Sequence, residues 1–377
     1  MPNIFDYLNW RGDLTIEKDG FNDVDAVILS RLSYLPFDNI VKESLDETIT
    51  IKEAANLYFS CEQNSGRELW KGDLDLLRAV SKSGRFSQMK LCGFCNMVVD
   101  RLEMQFAALV FDMGNSTRFI SFRGTDNTVT GWQEDFNMYC MSPVPSQIKA
   151  ADYLKKASQH FDGSFILGGH SKGGNLAIFA GAFCGSKIQE RIKQIYNLDG
   201  PGFEKKVWDS EGMLGVRNKI RTLVPQSSIF GMMFEHQEDF VIIKSNQRGF
   251  FQHDIYSWEV ENNRLVTLHS LTSTSAFFEH TFSEFVTQMN IRDRRELVEG
   301  IFTLLKSTED KTFNEIVAHL SKDAMPILRS IKSMNSKTRL LLISSLMRFI
   351  KCAMNNFSDL KPISKIKASD TTEIAPT

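Results

Sequence analysis

"FILGGHSKGGNLAIFAGAF", Phe165 to Phe183, decides how this chain is read. An apolar run stops at two glycines, one Ser follows His170, and two more glycines follow Lys172. Small and apolar residues then continue. Gly169, His170, Ser171, Lys172 and Gly173 fit the pattern G-x-S-x-G. A Ser at a sharp strand-to-helix turn sits in strained φ/ψ, and glycines two residues before and after it let the neighbouring backbones approach. Such a turn lifts the Ser Oγ above a sheet and aims the first amides of the next helix at a developing oxyanion. The pattern alone arises by chance in many chains. Here its context is also met, because "SFILGG" (164–169) reads as a buried strand and a helix starts near Gly174. The competing reading is a glycine-rich turn without chemistry.

Outward from the turn, the periodicity alternates. "QIKAADYLKKASQH" (147–160) is an amphipathic helix. "IKQIYNLDG" (192–200), "KIRTLVPQ" (219–226) and "DFVIIKS" (239–245) read as strands, and "RLVTLHSL" (264–271) as a last edge strand. Upstream, "MQFAALVFDM" (104–113) and "TRFISFRG" (117–124) form a hairpin across "GNS", and helices are expected over 24–35 and near 69–81. This alternation predicts an α/β fold with a mostly parallel sheet flanked by helices. From residue 273 the strand signals stop. The expected organisation is an α/β domain over 1–272, with N-terminal helices in 1–100 packed on it. A helical C-terminal region over 273–362 and a polar, disordered tail over 363–377 follow.

The 377 residues suit one domain of about 250 residues with an appendage. A net charge of −2 gives no sign of nucleic-acid binding. "MPNIFDYLNWRGDL" lacks the pattern of a signal peptide, and no uninterrupted apolar stretch reaches the roughly 18 residues of a transmembrane helix. Six scattered cysteines suit a reducing compartment, so a cytoplasmic location is expected. "CGFC" (Cys92 to Cys95) invites a redox or zinc reading, but no second Cys or His pair stands at ligand spacing; the plainer reading is two small apolar residues near the start of a strand or helix.

A Ser nucleophile needs a base, and the base needs an acid to orient it. His253, in the loop-like "FFQHDIYSW", is the favoured base, and His236 in "FGMMFEHQED" is the rival. His269 lies in a strand pattern, and His280 and His319 lie in helix patterns. Asp199 ends the strand "IYNLDG", where a carboxylate faces the same rim as the Ser. An Asx-turn is its plainer reading, and Asp239 and Asp254 are rival acids. In "ISFRGTDNTVTGWQEDF", Thr125 supplies an oxyanion N–H, with Trp132 and Asp135 bracing the loop; burial alone also accounts for Trp132. The second donor is the Lys172 amide.

Together these residues resemble the α/β-hydrolase superfamily and, within it, the class 3 lipases. "FRGTDNTVTGWQEDF" looks like the F-R-G-T…W…D segment of that group, and "GGHSKGGNLA" like its elbow. A closer resemblance, over about residues 4–260, is to a family of uncharacterised lipase-like bacterial proteins, the Mbeg1-like family. It rests on "DYLNWRGDLT…VDAVILSRLSYLPF", "LDGPGF", "VPQSSIFGMMFEH" and "QHDIYSW". The resemblance implies an α/β-hydrolase fold with Ser171 as nucleophile, His253 as base and Thr125 as oxyanion donor. The acid departs from the class 3 pattern: "TLVPQSSIFG" has no carboxylate, and "NLDGPGF" instead resembles the Leu-Asp-Pro stretch of pancreatic-type lipases. Lys172 also departs, since an apolar residue is usual there. It is expected to be solvated, the other reading being a contact with an anionic substrate group.

The expected activity is a serine carboxylester hydrolase acting on an ester or thioester of lipid-like character, with no metal or cofactor. A catalytically silent binding or scaffold protein and an acyltransferase are the alternatives. Ile229, Phe230, Met232 and Met233, in the Met-rich "SSIFGMMFEHQ", line an acyl pocket, form a lid, or simply pack a helix.

Overall fold

The computed structural model describes residues 1–61, 68–70, 72–307 and 324–357. Strands β1 (Ile49–Thr50), β2 (Lys90–Val99), β3 (Met104–Asp112) and β4 (Thr117–Phe122) pair antiparallel. Parallel to β4 run β5 (Ser164–His170), β6 (Ile192–Leu198), β7 (Ile220–Pro225) and β8 (Phe240–Ile243). A ribbon of β9 (Val260–Glu261) and β10 (Arg264–Leu265) follows, and β11 (Thr267–Leu268) closes the far edge of the nine-stranded sheet antiparallel to β8. The expected edge strand over 264–271 is therefore split: only Thr267 and Leu268 join the main sheet.

Pleating sends alternate side chains to opposite faces. Phe119, Ile166 and Leu198 face one core, together with Val24, Val27 and Ile28 of α2 (Asp23–Leu32). That face also carries α1 (Ile4–Arg11), α3 (Ile51–Ser60) and α4 (Gly72–Lys82). Ile120, Phe165, Leu167 and Ile195 face the other core, against α6 (Pro145–His160) and α7 (Lys172–Phe183). Helices cover both faces, and the expected α/β fold is borne out. Helix α7 is buried almost throughout. Its small residues bring it close to the sheet; a Cβ at Gly181 would stand 2.5 Å from Ile195 Cδ1.

The segment before residue 100 is not all helix. "KLCGFCNMVV" forms β2, with a bulge between Cys92 and Cys95. Gly93 there has φ +64°, and the Tyr153 hydroxyl donates to its carbonyl at 2.5 Å. Both thiols are buried, and burial pushes that of Cys92 up to about 12, the opposite of a reactive cysteine.

Helix α5 (Val129–Asn137) follows β4, and three single turns, α8 (Ser186–Gln189), α9 (Lys205–Trp208) and α10 (Glu211–Leu214), flank β6. The C-terminal region is helical as expected: α11 (Ser273–Thr287), α12 (Ile291–Leu305), α13 (Ala324–Ser333) and α14 (Ser336–Asn355). Val298 and Phe302 of α12 pack against Val129 and Phe136 of α5. The helical pattern "KTFNEIVAHLSK", with His319, and the polar tail lie outside the described residues. Among the described residues, no helix is long and apolar enough to cross a membrane.

Candidate active site

Ser171 sits alone between β5 and α7, with φ 59° and ψ −134°. Few L-residues adopt this backbone, and the neighbours over-determine it. Its N–H bonds the Leu198 carbonyl at 2.9 Å, and its carbonyl accepts from the Gly174 N–H at 2.9 Å. The glycines are required by close approach. A Cβ on Gly173 would stand 2.0 Å from the Phe122 carbonyl oxygen, and one on Gly169 would stand 2.3 Å from the Gly173 carbonyl carbon.

Asp199 ends β6 with φ 52° and is buried. Its Oδ2 lies 2.6 Å from His253 Nδ1. Its Oδ1 accepts from the Ser228 hydroxyl, which in turn accepts the Gly231 N–H at 3.0 Å. A Cβ on Gly231 would come within 2.3 Å of Asp199 Oδ1, so only Gly fits beside this carboxylate. Neither rival acid is hydrogen-bonded to His253 among the described residues: one is engaged as a cap and the other faces solvent. Asp254 accepts the Tyr256 N–H as a cap, and Asp239 is exposed at the entry to β8. His236 Nδ1 bonds Glu238 at 2.9 Å, His269 follows β11, and His280 is exposed on α11.

His253 closes a single helical turn, Gly249–His253. His170, the residue before Ser171, fastens that turn. Its Nε2 is 2.8 Å from the His253 carbonyl, and the two rings lie 4.3 Å apart. Donation to a carbonyl puts the proton on Nε2, leaving Nδ1 to face the Tyr34 hydroxyl at 3.1 Å. Burial and the neighbouring His253 hold the His170 imidazole well below its ordinary range, hence neutral. Tyr34 also accepts the Gly124 N–H at 3.1 Å, tying the turn to the loop after β4. The His253 loop is further held by Tyr256, whose hydroxyl donates to Asp73 at 2.7 Å; Asp73 is paired in the core with Arg31.

On the other side, Thr125 Oγ1 donates to Asp135 Oδ2 at 2.5 Å. Burial pushes the Asp135 carboxyl up to about 6, against the pull of the nearby Lys172 charge. Among the described residues, the N–H groups of Thr125 and Lys172 have no acceptor, and the Ser171 hydroxyl has no hydrogen-bond partner.

The Lys172 side chain corrects both of its expected roles. It is neither solvated nor directed at a substrate, being 1% exposed. Its ammonium donates to Glu134 at 3.0 Å and to Gln105 Oε1 at 2.8 Å, and stands 3.6 Å from Asp135. Glu134 also accepts the Gln105 and Ser146 amides, so one carboxylate joins β3, α5, α6 and α7. A cation can replace an apolar residue here because the carboxylate is supplied from elsewhere in the chain.

The Met-rich segment is not an α-helix but a single turn, Phe230–Met232. The Phe230 ring lies 4.5 Å from that of His253. Ile229, Met232 and Met233 line a cavity of about 570 Å³, with Tyr139, Phe278 and Phe282 among the opposite walls. Ser171, Asp199 and His253 are not part of its lining, so the cavity adjoins the cluster rather than containing it.

Sequence reasoning missed Ser228, Tyr34, Glu134 and the second role of His170. Only His170 carried a local signal, by its place in the turn.

The Mbeg1-like family model matches residues 80–303, more than half of the chain. The chain belongs to the Mbeg1-like family. The resemblance read from its motifs is thereby borne out. Among solved structures, the native Rhizomucor miehei lipase propeptide complex is similar at 16% identity, over 52% of this chain and 67% of that chain, with a TM-score of 0.33. No curated protein matches the sequence.

Proposed function

We propose that this Mbeg1-like chain is a serine hydrolase of lipase-like type, cleaving a carboxylic ester or thioester. The observation that carries the reading is the 2.6 Å contact between Asp199 Oδ2 and His253 Nδ1, with His253 fastened through its carbonyl to His170, the residue before the strained Ser171. Asp199 keeps the His253 proton on Nδ1, which leaves Nε2 as the base. Ser171 Oγ attacks the carbonyl carbon as His253 Nε2 takes its proton. The amides of Thr125 and Lys172 receive the oxyanion, an interaction worth about 3–4 kcal/mol for each donor lost in other hydrolases. The tetrahedral intermediate collapses, and His253 returns the proton to the departing alkoxide or thiolate. Water, deprotonated by the same nitrogen, then releases the acid and frees Ser171.

A fluorophosphonate probe tests this directly. Labelling of folded wild-type protein and its loss in Ser171→Ala is the expected result. Absence of labelling sinks the catalytic reading in favour of a silent binding protein, and labelling retained in Ser171→Ala means another nucleophile. A panel of short- and long-chain p-nitrophenyl esters then sets the acyl preference. Product analysis with added alcohol separates hydrolysis from acyl transfer.

A further inference from the structure

The cavity beside the cluster has features that the hydrolytic reading does not use. Its walls are largely apolar: Met232, Met233, Phe278, Phe282 and Val286 contribute. At about 570 Å³ it falls within the range of small-molecule pockets, about 300–1,000 Å³. Two wall residues bring buried polar atoms that no group among the described residues satisfies. The first is His236 Nε2, on a side chain only 5% exposed. The second is the Tyr139 hydroxyl, on a residue 8% exposed. Native proteins rarely leave such atoms unpaired, because each costs about 1–3 kcal/mol.

The identity of the free atom on His236 follows from its partner. Nδ1 faces Glu238 Oε1 at 2.9 Å, and the same oxygen receives the Thr222 hydroxyl at 2.6 Å. A carboxylate accepting two hydrogen bonds requires the proton on Nδ1, so in the neutral ring Nε2 offers a lone pair. Gly202 lies beside that nitrogen; a Cβ there would stand 3.1 Å from it. The complementary ligand atom is a hydroxyl hydrogen.

The charges around the cavity select against an anionic head. Its two wall cations, Lys205 and Arg294, already have partners. Lys205 is 3.3 Å from Asp209, and Arg294 donates to the Met289 and Tyr139 carbonyls at 3.1 and 3.2 Å. Glu204, Glu235 and Glu279 on the same walls repel a carboxylate or phosphate further.

We infer that this cavity is a binding site for an uncharged single-chain amphiphile whose head carries a hydroxyl. The alkyl chain lies along the Met and Phe walls, and the hydroxyl donates to His236 Nε2. The inference does not depend on Ser171 acting as a nucleophile.

The test is calorimetric titration of Ser171→Ala protein with 1-decanol, sodium decanoate and decyl methyl ether. One-to-one binding of 1-decanol is expected, with decanoate and the ether each at least about tenfold weaker, the ratio one hydrogen bond supplies. His236→Phe weakens 1-decanol about tenfold and leaves the ether unchanged, whereas Val286→Trp, which fills the cavity, abolishes binding of both. Circular dichroism establishes that each variant is folded. No saturable binding of 1-decanol, tighter binding of decanoate, or equal loss of alcohol and ether in His236→Phe overturns the site. Fluorophosphonate labelling of the wild type is scored separately. Labelling without decanol binding refutes the site and spares the hydrolase; decanol binding without labelling does the reverse.

Discussion

Lys172→Met is the most discriminating perturbation of this structure, because it keeps an unbranched side chain, one atom shorter, and removes the charge and its donors. In the wild type the ammonium and Glu134 are 3.0 Å apart, 1% and 0% exposed. Burial alone would depress the lysine; the charges of Glu134 and Asp135 outweigh it and hold the group above its ordinary value. Its stabilisation is thus fully present below about pH 10.4 and is lost only as pH rises through the raised value. Without Lys172, Glu134 keeps the Gln105 and Ser146 amides but loses its buried countercharge. Removing one partner of such a pair costs about 3–5 kcal/mol. Total stabilities are about 5–15 kcal/mol, so this is a large fraction. At about 2–4 °C per kcal/mol, the melting temperature falls by roughly 6–20 °C. Lys172→Met combined with Glu134→Gln also removes the fully buried carboxylate charge and leaves only the partly exposed Asp135 without its cation, so it should recover at least half of that loss. Urea unfolding and thermal melts at pH 7 measure all three proteins. A single variant within about 1 kcal/mol of wild type, with no gain in the double, would refute the buried pair and restore the solvated lysine expected from sequence.

Three further outcomes are expected. Asp199→Asn lowers p-nitrophenyl ester turnover by about 10⁴-fold, whereas Asp254→Asn, which removes only a cap, changes it by less than about tenfold; the reverse order reassigns the acid. Ser228→Ala removes one of the two partners of Asp199 and lowers kcat by about tenfold with KM little changed, read in steady-state kinetics. Asp135 binds its proton more tightly folded than unfolded, so its effect is to raise stability as pH falls from about 7 to 4. The gain is about 2 kcal/mol at most, and Asp135→Asn should remove it in melts across that range.

Much of the fold was legible because it rests on local periodicity. The strand-to-helix turn at 169–173, the hairpin and the parallel strands each show their pattern within about ten residues, and each lies where it was expected. The failures share a cause. Around "CGFC" strand and helix stayed open, because a bulge at Gly93 breaks the alternation that marks strand β2. The 264–271 strand was split because pairing partners, not propensity, decide which residues join a sheet. Lys172 was misread because its environment comes from Gln105 and Glu134, 67 and 38 residues away in sequence.

By itself the sequence determined that one Ser would stand at a strained turn. Glycines at 169 and 173 are recognised within five residues of sequence, although what excludes a side chain at Gly173 is the Phe122 carbonyl on the neighbouring strand. It also determined the candidates Asp199 and His253, each by its place after a strand. Only the tertiary structure decided that these two meet at 2.6 Å, that Ser228 occupies the second carboxylate oxygen, and that a buried cation and carboxylate fasten the start of α7 to β3. The physical reason is range. Backbone strain and hydrophobic period act between neighbours in the chain, whereas hydrogen bonds and ion pairs act across about 3 Å of space, whatever the separation in sequence.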